Sequence, residues 1–163
     1  MVFVTLGTQK FQFNRLLKAV DDLVAEGHLD KVFAQVGHSD YVPQNYEYKD
    51  FLSKDTFQDC VRDCDLLITH SGVATIITGL KMEKPIVVVP RQSKFAEHVD
   101  DHQLQIAKSF SEQKFVMMCQ NVDDLAKIVT KAKNYKFAPY VSQRQQVTKT
   151  IRNYLETIGS EKR

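Results

Sequence analysis

The stretch Leu66-Leu-Ile-Thr69-His70-Ser71-Gly72-Val-Ala-Thr75-Ile-Ile-Thr-Gly-Leu-Lys-Met-Glu-Lys-Pro85-Ile-Val-Val-Val-Pro90 decides the fold. Its apolar run Leu66 to Ile68 stops abruptly at His70-Ser71-Gly72, and a segment of helix length follows. Pro85 opens a second apolar run, Ile86 to Val89, which Pro90 closes. Short continuous apolar runs bounded by turn residues read as strands buried on both faces, and a helix between two of them makes a parallel pair. The polar residues fall where the strands end, and in open α/β sheets that carboxyl edge holds the ligand crevice. Gly72 lets backbone amides approach a ligand, and the helix that begins there turns its positive end toward an anion. A diphosphate suits such a place; the plainer alternative is a tight strand-to-helix turn with no ligand.

The same alternation extends in both directions. Val2 to Leu6 reads as a strand followed by a turn at Gly7-Thr8-Gln9, and Phe11, Phe13, Leu16, Leu17, Val20, Leu23 and Val24 have helical spacing up to Gly27. Val32 to Val36 is a second strand that ends at Gly37. Residues 40–50 read as an ordered loop with a short strand near 46–51, and Asp55 as the N-cap of a helix over 56–63. Beyond Pro90 the pattern predicts a helix over 98–111, a strand over 115–118, a helix over 122–133 and a last helix over 140–158. Strand-helix alternation this regular predicts one doubly wound parallel sheet, Rossmann-like, as a single domain over 1–163.

Composition narrows the function. The chain has 163 residues, 43 % of them hydrophobic and 26 % charged, which is ordinary for one globular domain. A formal net charge of +2 offers no basic stripe for nucleic acid. No apolar stretch approaches the roughly 20 residues of a spanning helix. Met1 leads straight into a strand without a leader pattern, and the three cysteines, Cys60, Cys64 and Cys119, fit free thiols in a reducing cytoplasm. Cys60 and Cys64 stand four apart on one helix face, as half a metal site or as two small core residues. The chain has no second Cys/His pair at zinc spacing to complete the former.

Four short motifs, Phe3-Val-Thr-Leu-Gly-Thr8, Gln35-Val-Gly37, His70-Ser71-Gly72 and Asp101-His102-Gln103, occur in an order and spacing that covers about two thirds of the chain. In these the chain resembles the glycosyltransferase family 28 C-terminal domain, the donor-binding half of GT-B transferases. That group includes the lipid II-forming GlcNAc transferase and the soluble half of the split dolichol-linked GlcNAc transferase, and the nearest resemblance is to small bacterial exopolysaccharide subunits of the PssE/EpsF kind. The resemblance implies an inverting, UDP-sugar-dependent hexosyltransferase subunit that acts on a lipid-diphosphate-linked capsule or exopolysaccharide precursor. It implies a membrane-anchored acceptor-binding subunit as partner and a peripheral place at the cytoplasmic face of the plasma membrane. It also implies no cofactor and no metal. An enhancer subunit that only stabilises its partner is the alternative on the same fold. A stand-alone nucleotide-sugar epimerase would need a second domain to close over the sugar.

Transfer of a sugar requires a stabilised leaving diphosphate, a positioned sugar and a deprotonated acceptor hydroxyl. For the first, the backbone amides after Gly7-Thr8 and Gly72 are candidates, with the hydroxyls of Thr8, Ser71 and Thr75 and the turn at Gly37. By resemblance Gln103 meets sugar hydroxyls and His102 occupies the neighbouring position; otherwise both are polar residues at a helix start. His70 either orients a phosphate or hydroxyl, or satisfies its turn; with Glu97 it is a candidate catalytic group. Glu97 otherwise caps the next helix. Arg91 either neutralises a diphosphate or a sugar carboxylate, or is a solvated loop cation. The resemblance places the catalytic base in the acceptor domain. Two positions depart from the wider family: Thr78 stands where many relatives carry a ribose-gripping glutamate, and Glu83 where a glycine is usual.

Overall fold

The computed structural model describes residues 1–142. It contains a six-stranded, wholly parallel sheet in the order β3-β2-β1-β4-β5-β6. The strands are β1 Val2–Thr5, β2 Val32–Gln35, β3 Glu47–Lys49, β4 Leu66–Thr69, β5 Ile86–Val88 and β6 Met117–Met118. The helices are α1 Asn14–Ala25, α2 Lys54–Asp63, α3 Val73–Lys81, α4 His102–Glu112 and α5 Leu125–Lys133. This is the doubly wound α/β architecture expected from the sequence. The strand order reverses between β1 and β4, so the loops after these two strands part and leave a crevice.

Alternation along β1 shows how the sheet separates its two faces. Val2, Val4 and Leu6 join Leu16, Leu17 and Val20 of α1 and Leu125 and Val129 of α5 in one core. Phe3 faces the other core, with Val61 of α2, Ile76 and Leu80 of α3 and Ala107 of α4. Cys64 and the half-buried Cys60 pack into this second core. Gly79 sits where α3 crosses the sheet, and a Cβ there would stand 2.8 Å from Ile86 Cδ1 and 2.9 Å from Leu67 Cδ2. The lack of a side chain at that position brings α3 close to β4 and β5.

Several boundaries differ from the sequence reading. Ser53 is the N-cap of α2, not Asp55: its hydroxyl accepts from the Thr56 amide. α1 begins at Asn14, because Phe13, at φ −143° and ψ 45°, is not helical and turns its ring into the core. α4 begins at His102, not 98: Ser93–Phe95 form a 3-10 turn, and Asp101 Oδ1 holds it by accepting from the Ser93 amide at 2.8 Å. The loop over 40–50 is ordered by Asp21, which is buried in α1. Its carboxylate accepts from Tyr41 Oη and from the Gln44 and Asn45 amides, each at 2.8 Å. Burial pushes the Asp21 pKa up, and these bonds outweigh it, for a net lowering. The helix expected over 140–158 lies, from residue 143 on, outside the described residues.

Candidate functional site

Register lines up the last residues of four strands: Lys49 beside Gln35, Gln35 beside Thr5, and Thr5 beside Thr69. These polar ends pin the loop that follows β1. Thr69 Oγ1 donates to the Thr5 carbonyl at 3.1 Å, and the Gly7 amide donates to Thr5 Oγ1 at 3.4 Å. Gln35 Nε2 donates to the Gly7 carbonyl at 3.4 Å. Gly7 has φ +74°, which a glycine adopts without strain. Gly37 has φ +59°, and a Cβ there would stand 2.9 Å from the Gly7 carbonyl oxygen. Gly37 is therefore a close-packing position behind the Gly7 loop; it does not line the cleft itself.

His70 fills the space that two glycines leave open. A Cβ at Gly7 would stand 2.5 Å from its Nε2, and one at Gly72 2.4 Å from its Cε1. The space beside Gly72 thus belongs first to an imidazole. His70 is 6 % exposed, and burial and then the Arg91 charge pull its pKa down to about 4. It is neutral at physiological pH. Its Nδ1 lies 3.3 Å from Gln103 Nε2.

Around this histidine opens a cleft of about 500 Å³. One side is the β1 loop, Gly7-Thr8-Gln9, and another is the first turn of α3, Gly72 to Thr75. The N-cap of α3 is Gly72, with no side chain capping the helix and no acidic residue in its first turn. The first amides of α3 therefore keep their hydrogen-bonding capacity and the helix keeps its positive end. Leu52 and Phe57 form an apolar wall, and Lys54, exposed at the start of α2, supplies a cation. The sequence reading missed Lys54, Leu52 and Phe57. All three follow β3, a strand whose residues are exposed throughout, and only its neighbouring place in the sheet shows that its loop joins the same rim.

Besides Gly37, five candidates lie outside the cleft. Arg91 is neither a solvated cation nor a cleft residue, at 1 % exposure. Its guanidinium donates to the carbonyls of Leu6 at 2.8 Å, Gln12 at 2.9 Å, Phe11 at 3.1 Å and Glu97 at 3.3 Å, and lies over the Phe13 ring. A side chain so committed holds loops together. Glu97 is fully buried and does not cap α4. It forms a two-pronged ion pair with Arg15, at 2.8 and 2.9 Å, and accepts from the Gln92 amide at 3.0 Å. That geometry removes it as a catalytic candidate in this arrangement. Gln103 is buried as well: its Oε1 accepts from the Ser71 amide at 3.3 Å and the Arg91 amide at 3.1 Å. His102 is exposed at the first turn of α4 and does not line the cleft. Ser71 is buried beneath Gly72, and its hydroxyl has no partner among the described residues. His98 and His102 stand four apart in the sequence, but His98 precedes α4 and shares no helix face with His102. Gly7, Thr8, His70, Gly72 and Thr75 are the candidates that the fold gathers in one place.

Residues 1–158 match the model of the glycosyltransferase family 28 C-terminal domain. The chain belongs to this family. It is a glycosyltransferase domain, and its sheet is the half-fold found in GT-B enzymes. Among curated proteins it is similar to the UDP-N-acetylglucosamine transferase subunit ALG13 of Homo sapiens, 28 % identical over 126 residues. It is likewise similar to that subunit from Saccharomyces cerevisiae, 37 % identical over 84 residues. These matches take in 72 % and 48 % of this chain, but only 11 % of the human protein and 39 % of the yeast one. Among solved structures, the solution structure of ALG13 superposes with a TM-score of 0.58 at 22 % identity, over 92 % of this chain and 93 % of that one. The glycotransferase of kitacinnamycin superposes with a TM-score of 0.63 at 20 % identity, over 82 % of this chain and 35 % of that one. Among the described residues no helix is long and apolar enough to cross a membrane.

Proposed function

We propose that this chain is the donor-binding subunit of a two-chain, UDP-sugar-dependent inverting glycosyltransferase acting on a lipid-diphosphate-linked acceptor. The observation that carries this reading is the cleft at the β1/β4 switch point, where the open first turn of α3 faces the Gly7 loop beside Lys54 and His70. The amides of that turn, Thr8, Thr75 and Lys54 receive the diphosphate, and the wall of Leu52 and Phe57 receives the base. A helix end and a lysine offset a diphosphate's charge, so the proposal needs no metal. The names of the curated relatives support UDP-N-acetylglucosamine as the first donor to test.

The described residues that line the cleft include no carboxylate, and a histidine with a pKa of about 4 is a weak base at neutral pH. The proposal therefore assigns deprotonation of the acceptor hydroxyl to a membrane-anchored partner, which also holds this chain at the membrane face. The acceptor we propose is a bacterial exopolysaccharide or capsule precursor, on the resemblance to small exopolysaccharide subunits alone. A non-catalytic enhancer subunit is the second reading, favoured by one observation: Gln103 and Arg91 are committed to backbone groups. Isothermal titration with UDP and UDP-N-acetylglucosamine separates the two. Saturable heat that Lys54→Ala weakens about tenfold supports donor binding. A folded chain that takes up neither nucleotide supports the enhancer.

A further inference from the structure

Gln103 makes three contacts that together leave its carboxamide one orientation. Its Oε1 accepts from two backbone N–H groups, of Ser71 at 3.3 Å and Arg91 at 3.1 Å. Both partners can only donate, so the amide oxygen faces them and the NH2 group faces the other way. On that other side stands His70 Nδ1, at 3.3 Å. An amide NH2 donates, so Nδ1 accepts. A neutral imidazole that accepts at Nδ1 carries its proton on Nε2. Nε2 lies on the side of Gly7 and Gly72, where a Cβ would stand 2.5 or 2.6 Å from it, and both glycines line the cleft. It has no partner among the described residues and is not among their buried unsatisfied atoms.

We propose that Gln103 is a positioning residue: its carboxamide sets the tautomer of His70 and makes the imidazole a fixed, neutral N–H donor facing the cleft. The contact with His70 uses one of the two hydrogens of the Gln103 NH2 group. An imidazolium would turn an Nδ1 hydrogen against the Gln103 NH2 group, donor against donor, so the same contact resists protonation. Arg91, after β5, and His98, in the loop before α4, act in the same sense, behind the larger effect of burial; a Gln103 contact with Nδ1 as donor would instead raise the pKa, and the carboxamide orientation set by the Ser71 and Arg91 amides excludes it. With its proton on Nε2, His70 donates to an oxygen in the cleft and cannot accept a proton there. What that oxygen belongs to, a leaving diphosphate, rests on the donor-site reading above; the tautomer does not.

Two-bond 15N–1H correlation spectra of the labelled 163-residue chain read the tautomer directly. The expected result is a proton on Nε2 from about pH 8 down to about pH 5. A neutral ring protonated on Nδ1, or an imidazolium at about pH 6, overturns the proposal. Gln103→Glu provides the contrast, because a carboxylate can still accept from the Ser71 and Arg91 amides while its second oxygen draws a proton onto Nδ1. There the His70 pKa should rise from about 4 toward its ordinary 6.5. A folded variant with an unchanged tautomer and titration overturns the proposal; if the variant does not fold, the wild-type spectrum decides alone. Binding supplies an independent arm. A positioning role weakens UDP and UDP-N-acetylglucosamine alike, by about tenfold, whereas a loss confined to the sugar nucleotide makes Gln103 a sugar ligand and overturns the proposal. If the wild-type chain binds neither nucleotide, the donor-site reading fails and the spectra still settle the tautomer.

Discussion

At the scale of single residues, His70 and its two glycines act as one unit. Gly72 has a φ of −69°, so alanine there meets no backbone strain, only the imidazole 2.4 Å from its Cβ. Gly72→Ala should therefore cost about 1–3 kcal/mol by overpacking. His70→Ala should relieve it, so the double variant costs less than the sum of the singles in a denaturant midpoint series. Gly7→Ala should be relieved only in part, since its φ of +74° adds about 1–2 kcal/mol of strain that does not involve His70. Additive losses at Gly72 and His70 would remove the wedge from the account. The depressed pKa of His70 makes a second test. Between about 6.5 and about 4 the unfolded chain binds a proton that the folded chain refuses, so stability falls as pH falls through that window. The loss amounts to roughly 3 kcal/mol from this group, and His70→Gln should flatten it in melts taken across the range. Gly7, His70 and Gly72 were legible in the sequence because they stand at strand ends. That Arg91, Glu97 and Gln103 turn inward was not: a charged residue after a strand looks alike whether it meets a ligand or a set of loop carbonyls 80 residues away.

Among the elements, α3 shows which signals the sequence carries well and which it does not. Its start at Gly72 and its apolar rows follow from the pattern, because burial on the sheet sets the period. α4 begins at His102 and not at 98, and Val99 ahead of it is 75 % exposed and packs on nothing that would extend the helix face. α2 has two residues able to cap it, Ser53 and Asp55, and only backbone geometry chooses between them. The exit from α3 carries a further consequence. Glu83, just after α3, has φ +54°. Holding a side chain in that left-handed region costs about 1–2 kcal/mol, while a glycine gives back about 0.4–1 kcal/mol through a freer unfolded chain. Glu83→Gly should therefore stabilise by about 0.5–1 kcal/mol and raise the melting temperature by about 1–4 °C in calorimetry. A lower melting temperature would mean that Glu83 makes a compensating contact.

The whole molecule places a row of polar strand ends, Gln35, Thr5 and Thr69, under a cleft that is open on one side. The parallel sheet was readable from alternation, because continuous apolar runs bounded by turns suit strands buried on both faces; the strand order that puts the switch point between β1 and β4 was not. The third wall of the cleft was not readable, because β3 is exposed throughout and reveals its place only through pairing with β2. What the open side lacks is chemical as well as steric. Among the described residues that line the cleft, the titratable groups are Lys54 and His70, and a histidine with a pKa of about 4 draws a proton from a hydroxyl poorly at neutral pH. A positioned general base contributes typically 10²–10⁴-fold to rate, so the chain alone should hold a donor and transfer it immeasurably slowly. Membranes from cells expressing the partner should restore transfer from UDP-N-acetylglucosamine to a lipid-diphosphate acceptor, and Lys54→Ala should weaken the restored activity through its demand for donor. Turnover by the purified chain without any partner would show that a base lies within it, and the assignment of proton removal to a second subunit would fall.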